Sequence, residues 1–260
     1  MKEKYYSTQL QAGLGLIEET QILLNLWNPG IEPTELQKIA LESGHIPNVS
    51  ARRLRNIVAE CFSPRYLHGK PPPAQLLKKL QNKLTRKEFE QLLLLYTCRA
   101  NLILFDFIRE VYWAAYSSGR NNLRFEDAET FVVRANQDGK TRKPWSESTV
   151  RRISGYLTGS CVDFGLLESG TKKSRKINPF RIEARTAIFL AYDLHFSGHG
   201  DNSVLGHPDW SLFGMERSDV LNEFKRQALK GWFIIQAAGD VIRIGWPFQT
   251  MEELTDAFVK

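Results

Sequence analysis

The chain has 260 residues, with 35 Lys and Arg against 29 Asp and Glu, for a formal net charge of +6. At 42% hydrophobic and 25% charged, its composition is that of a soluble globular protein with core enough for one large domain or several small ones. The most apolar stretch, Leu92 to Val111, is interrupted by Arg99, Asp106 and Arg109, which argues against a membrane span of roughly 20 apolar residues.

The opening Met1-Lys2-Glu3-Lys4-Tyr5-Tyr6 lacks the apolar core and small-residue cleavage site of a signal peptide. Leu10, Leu14, Ile17, Ile22 and Leu26 then recur at helical spacing, so the pattern predicts a helix over Leu10–Leu26, stopped by Trp27-Asn28-Pro29-Gly30. A short helix is predicted from Pro33 to Glu42, with Pro in its first turn and Gly44 past its end. Ser50 is a good cap for a following helix, Ala51 to Phe62, whose stripe is Leu54, Ile57, Val58 and Cys61. Arg52, Arg53 and Arg55 lie off that stripe. The pair has the layout of a helix-turn-helix, although an arginine-bearing solvent face is the commoner outcome of such a pattern. These elements make an N-terminal helical region over 1–70.

Gly69-Lys70-Pro71-Pro72-Pro73 reads as a semi-rigid spacer. A central helical region over 71–120 follows, with helices over Ala74–Leu84 and from Arg86 to about Tyr116. The aromatics Phe105, Phe107, Tyr112, Trp113 and Tyr116 could stack on bases, but at this spacing a core role is expected.

Residues 121–185 have the grammar of a winged helix. Glu126–Ala135 is predicted helical and ends near Asp138-Gly139. Ser146 or Ser148 then caps a helix in which Val150, Ile153 and Leu157 face inward. Ser146, Ser148, Thr149, Arg151 and Arg152 are therefore placed as the reading end of a recognition helix, where free N–H groups and the helix dipole favour phosphate. Gly165-Leu166-Leu167 turns the chain into a strand, Ser169–Lys176 is the tip, and Ile177–Ile182 is expected to return as the second strand. Lys172, Lys173, Arg175 and Lys176 would flank the duplex from that wing.

The remaining 186–260 is expected to be an α/β region, possible in outline as a second winged helix. Ser218 would cap a helix over Asp219–Leu229, and Trp232–Gln236 and Val241–Trp246 would pair around Ala238-Gly239-Asp240. Its turn carries no cation, so packing or a protein partner is expected there, with Lys225, Arg226 and Lys230 keeping DNA open.

Charge gives this sectioning its functional sense. Between Lys140 and Arg185 stand eleven basic residues (Lys140, Arg142, Lys143, Arg151, Arg152, Lys172, Lys173, Arg175, Lys176, Arg181 and Arg185). Against them are Glu147, Asp163, Glu168 and Glu183, a local balance of +7 that leaves −1 for the rest of the chain. A field concentrated in this way suits a polyphosphate, because each neutralised phosphate releases counterions.

Catalytic signatures are missing: there is no phosphate-binding loop, dinucleotide fingerprint, HExxH or GxSxG. The lone Cys61, Cys98 and Cys161 suggest reduced thiols in a cytoplasm. The best metal candidate is His195, His199, Asp201 and His207, but the intervening Ser197, Gly198 and Gly200 argue for a loop. No enzyme, no cofactor and no metal is expected.

The stretches Tyr6-Ser7-Thr8-Gln9-Leu10-Gln11-Ala12-Gly13-Leu14, Ser50-Ala51-Arg52-Arg53-Leu54-Arg55 and Asp106-Phe107-Ile108-Arg109-Glu110 resemble the BrxA family of BREX bacteriophage-exclusion systems. So does the run from Trp145-Ser146-Glu147-Ser148-Thr149-Val150-Arg151-Arg152 to Gly165-Leu166-Leu167. The resemblance implies a small, mostly helical, non-enzymatic DNA-binding component acting beside a methyltransferase, an ATPase and an alkaline-phosphatase-like partner. The expected whole is mainly α with small β-hairpins, contacting double-stranded DNA through the winged helix and secondarily through the N-terminal pair. A protein–protein adaptor and, further off, a metal-dependent nuclease built on His195, His199 and His207 are the rival readings.

Overall fold

The computed structural model describes residues 5–47, 49–171, 173–238 and 241–258. They are mainly helical, with two small antiparallel strand pairs. Two compact units form, one within Met1–Lys78 and Leu93–Phe180, the other within Lys79–Leu92 and Arg181–Lys260.

The first unit opens on a 3-10 turn, Gln9–Ala12, followed by α1 (Ile17–Leu26) and α2 (Pro33–Ser43). The helix expected over Leu10–Leu26 is thus broken at Gly13-Leu14-Gly15-Leu16. Glycine inside a helix costs about 1 kcal/mol relative to alanine, and both glycines sit where no side chain fits. A Cβ on Gly13 would collide with Leu16, and one on Gly15 would lie 2.6 Å from Asp163 Cβ.

Helix α3 runs over 51–66, in the parts Ala51–Asn56, a wide turn Ile57–Phe62 and Ser63–Tyr66, so it passes the expected end at Phe62. Ser50 caps it as expected, its Oγ accepting from the Arg53 N–H at 3.3 Å. The stripe Leu54, Ile57, Val58 and Cys61 is buried.

Next come α4 (Pro73–Leu80), α5 (Arg86–Ala100) and α6, which runs over 102–117. The single helix expected over Arg86–Tyr116 breaks at Asn101 with a bend of 114°. Asn101 leaves the helical region (φ −127°, ψ 87°) and its Nδ2 donates to the Thr97 carbonyl at 2.9 Å, the local bond by which a short amide side chain competes with a helix. Phe105, Phe107 and Tyr112 are core, whereas Tyr116 is exposed. Among the described residues no single helix is long and apolar enough to cross a membrane.

Strand β1 (Asn122–Arg124) leads directly into α7 (Phe125–Gln137), then α8 (Glu147–Asp163) and β2 (Ser174–Lys176). β1 and β2 pair antiparallel, with Asn122 opposite Lys176, Leu123 opposite Arg175 and Arg124 opposite Ser174. On the other side of β2, Leu167 bridges Ile177. The return strand expected over Ile177–Ile182 therefore lies earlier in the chain. Pro179 has no N–H for a ladder, and Asn178 instead bonds the carbonyls of Leu166 at 3.0 Å and Gly165 at 3.1 Å. On α8, Val150, Ile153 and Leu157 are buried, as their spacing predicts.

The second unit holds α9 (Ala184–Phe196), α10 (Asp201–Leu205), a 3-10 turn Pro208–Phe213, α11 (Arg217–Ala228), β3 (Ile234–Ala238), β4 (Val241–Gly245) and α12 (Met251–Ala257). Ala187 to Tyr192 are all buried, so α9 shows no polar face to betray it in the sequence. Helix α11 is capped by Glu216, reciprocally with Asp219, rather than by Ser218. The expected hairpin is present, paired from Ile234 opposite Gly245 to Ala238 opposite Val241. Its turn residues Gly239 and Asp240 lie outside the described residues. Phe224 and Phe233 stack at 4.5 Å in the core of this unit, with Trp246 edge-on to both.

Candidate nucleic-acid interface

The start of α8 is fixed by short polar side chains. Ser146 has extended backbone, and its Oγ accepts from the Thr149 N–H at 3.4 Å while lying 3.1 Å from both Ser148 Oγ and Thr149 Oγ1. The preceding loop is held by Asn136. Its Oδ1 accepts from Trp145 N at 3.1 Å and from Thr141 Oγ1 at 3.0 Å, and its Nδ2 donates to the Trp145 carbonyl at 3.1 Å. Sequence reasoning missed Asn136, which belongs to no motif and no apolar period.

Arg151 and Arg152 follow in the next turn and are exposed. Strand β2 and the residue before it are brought to the same side, because Phe125 N–H donates to the Lys173 carbonyl at 2.9 Å and Arg175 sits opposite Leu123. Together they surround a cavity of about 630 Å³. Leu14, Phe125, Glu126 and Glu129 form part of its wall, α8 supplies Arg151, Arg152, Gly155, Tyr156, Thr158 and Gly159, and Lys173 and Arg175 come from the residue before β2 and from β2 itself. Among the described residues none of these four cations makes an ion pair, and the Arg175 Nε is enclosed with no acceptor.

The other cations of the basic stretch are placed differently. Lys176 pairs with Glu168 at 2.8 Å, and both are exposed, so the contact is worth at most about 1 kcal/mol. Lys140 lies 3.9 Å from Asp106 and 3.8 Å from Glu110, and donates to the Tyr6 hydroxyl at 3.2 Å. Tyr6 in turn donates to Asp106 at 2.6 Å. Burial, and then Asp106, drives the Tyr6 hydroxyl far above its ordinary titration range. Arg185 belongs to the second unit, where it donates to the Lys83 carbonyl at 3.2 Å and faces Glu88 at 3.8 Å. Arg142 and Lys143 are exposed beside the α8 loop. Lys172 lies outside the described residues.

The three arginines of α3 divide. Arg52 and Arg55 are exposed, whereas Arg53 is half-buried and donates to the Ala12 carbonyl. Buried Arg65, lower on the same helix, donates to the carbonyls of Gly13 at 2.8 Å and Gly15 at 3.5 Å. The segment so held runs along α8: Gly15 N–H donates to Asp163 at 2.9 Å, and a Cβ on Gly159 would lie 2.9 Å from Leu14 Cδ1. Glycines interrupting a helical pattern were the available signal for this strap.

Beside the β1–β2 pair, Asp127 accepts from both arms of Arg120, at 2.5 and 3.2 Å, and from the Arg124 N–H at 2.7 Å. Burial raises its carboxyl, but these partners outweigh burial and hold it below the usual range. Cys161 is fully buried, and that burial pushes its thiol well up, away from reactivity.

The three histidines of the second unit do not gather at one point, although two of them touch. His195, in the last turn of α9 rather than in a loop, stacks on Trp246 at 4.1 Å, and its burial lowers its pKa although Asp201 opposes this. His199 and His207 meet edge to face at 4.8 Å, and Asp201 is occupied by Ile244 N–H and Trp246 Nε1. Among the described residues no group of three His, Cys, Asp or Glu side chains could hold a metal ion.

No curated protein compared with this chain matches it. A solved structure of an uncharacterized protein from Magnetospirillum magneticum resembles it with a TM-score of 0.57 at 16% identity, over 74% of this chain and 95% of that one, a likeness of fold alone. The BrxA family model matches residues 4–193. The chain belongs to the BrxA family, and with it to the components of BREX phage defence.

Proposed function

We propose that this chain is a non-enzymatic, cytoplasmic component of its defence system that binds double-stranded DNA, with the arrangement around α8 acting as a winged helix. One observation carries the reading: Arg151, Arg152, Lys173 and Arg175 gather at one cavity and none is neutralised by an ion pair among the described residues. The order strand, helix, helix, strand, with β2 lying between β1 and the Leu167 bridge, supports the winged-helix description. In it α8 is the recognition helix. Ser146, Ser148 and Thr149 lie at its phosphate-favouring end, and the turn before β2 is the wing. Arg52 and Arg55 of the α2–α3 pair are a second, helix-turn-helix-like contact, with Arg53 serving structure instead.

The methyltransferase, ATPase and alkaline-phosphatase-like components of such systems are the proposed protein partners. An adaptor role draws support from the second unit, where Leu229 is 90% and Ile234 58% exposed. The experiment that separates the two is charge reversal, Arg151→Glu with Arg152→Glu. DNA binding by fluorescence anisotropy is lost if α8 meets the duplex. If only pull-down of the defence components suffers, the adaptor reading holds.

A further inference from the structure

A surface that merely neutralises phosphates needs exposed cations, not a concavity of ligand size. The cavity beside α8 measures about 630 Å³, inside the range of small-ligand sites. Its walls are also mixed in a particular way. Phe125 and Tyr156 bring two half-buried aromatic rings, Glu126 and Glu129 bring carboxylate acceptors, and four cations stand around them. The resulting excess of two positive charges matches a phosphate monoester, which carries about −1.5 to −2 near neutrality. Gly155 on α8 leaves the floor open: a Cβ there would meet only Phe125 Cε2, at 3.9 Å.

We infer that this cavity is a single-nucleotide pocket. The phosphate lies among the arginines, the base against Phe125 and Tyr156, and an exocyclic amino group faces the Glu126 and Glu129 carboxylates. The nucleotide is either free or a residue turned out of bound DNA, and only in the second case does the inference rest on the DNA-binding proposal.

Gly155→Leu tests it, because the new side chain fills the volume without altering any charge, and leucine is a better helix former than glycine. Gly155→Ala is the control that leaves the cavity open, and a thermal melt checks that both variants fold. AMP, CMP and UMP are titrated calorimetrically into each protein. Duplexes carrying 2-aminopurine are then bound at equal occupancy and their fluorescence read. AMP or CMP binding that weakens at least tenfold in Gly155→Leu, and less than twofold in Gly155→Ala, assigns a free nucleotide. UMP, which has no exocyclic amino group, is expected to bind more weakly. Absence of mononucleotide binding, with a 2-aminopurine rise in the wild type and Gly155→Ala but not in Gly155→Leu, assigns a strand-borne one. Duplex bound equally by all three proteins, with neither signal, overturns the pocket and leaves the DNA proposal standing. Nucleotide binding indifferent to Gly155→Leu also overturns it. Should the wild type bind no duplex, the DNA proposal fails and the mononucleotide arm still decides the pocket.

Discussion

Gly15 donates its backbone N–H to the Asp163 carboxylate at 2.9 Å, joining the N-terminal segment to the last residue of α8. A carboxylate at a helix C-terminus meets the negative end of the dipole, so an N–H aimed at it offsets an unfavourable position. The same segment gives its Ala12, Gly13 and Gly15 carbonyls to Arg53 and Arg65 of α3. Helix α8, with Arg151 and Arg152 on its surface, is thus held from its far end by a strap that is itself fastened to α3.

Gly15→Ala tests that strap. Its Cβ would lie 2.6 Å from the Asp163 Cβ, and neither atom is the end of a flexible chain. Overpacking of this kind costs about 1–3 kcal/mol, or about 2–4 °C in Tm for each kcal/mol at this size. A melting temperature equal to the wild type's would show that the segment does not grip α8.

The α3 arginines are expected to separate by role. Arg53→Ala removes a charged donor from the Ala12 carbonyl and should cost about 1 kcal/mol while leaving the salt dependence of DNA binding unchanged. Arg52→Ala with Arg55→Ala should stay within about 0.5 kcal/mol of wild-type stability, since both side chains are exposed. If α3 meets DNA, that pair lowers the salt slope by about 0.9 for each phosphate no longer neutralised. Denaturant titration and anisotropy on the same samples check both halves.

Asp127 gives the fold an acid limit. Its carboxyl is held below its usual value near 3.8 by Arg120 and the Arg124 N–H. A carboxyl with a lowered folded-state pKa contributes stability that is present above the unfolded value and lost as the pH falls below it. Stability should therefore decline below about pH 4. Asp127→Asn, which keeps one acceptor for the helix cap, should be less stable at pH 7 by about 1 kcal/mol and flatter below pH 4. Parallel pH profiles of the two proteins would contradict this role.

Helices with one apolar face were legible in the sequence. Ser50 and Ser146 cap where expected, and Leu54 to Cys61 and Val150 to Leu157 bury the expected stripes. Three kinds of element escaped. Helix α9 is buried over Ala187 to Tyr192, so no polar period marks it. Strand β1 is only three residues long, and its partner lies some fifty residues onward, a pairing no local pattern carries. The break at Asn101 depends on a side-chain bond to Thr97 that composition does not reveal. At the interface, clustering of cations was visible but their employment was not. Lys140 is engaged by Asp106 and Glu110, and Arg53 by Ala12, whereas Arg151, Arg152 and Lys173 make no ion pair among the described residues. The cavity they share needed Gly155, Leu14 and Phe125 to be brought together by the fold.

The most direct measurement is the affinity for duplex DNA as a function of salt, for the wild type and for a variant with Arg151, Arg152 and Lys173 changed to Ala. If these side chains neutralise phosphates, log K falls steeply with log salt in the wild type, and the slope in the variant is shallower by about 2–3. The variant should melt within about 1 kcal/mol of the wild type, since all three side chains are exposed. Equal slopes in two folded proteins, or no duplex binding by the wild type at low salt, would contradict the account.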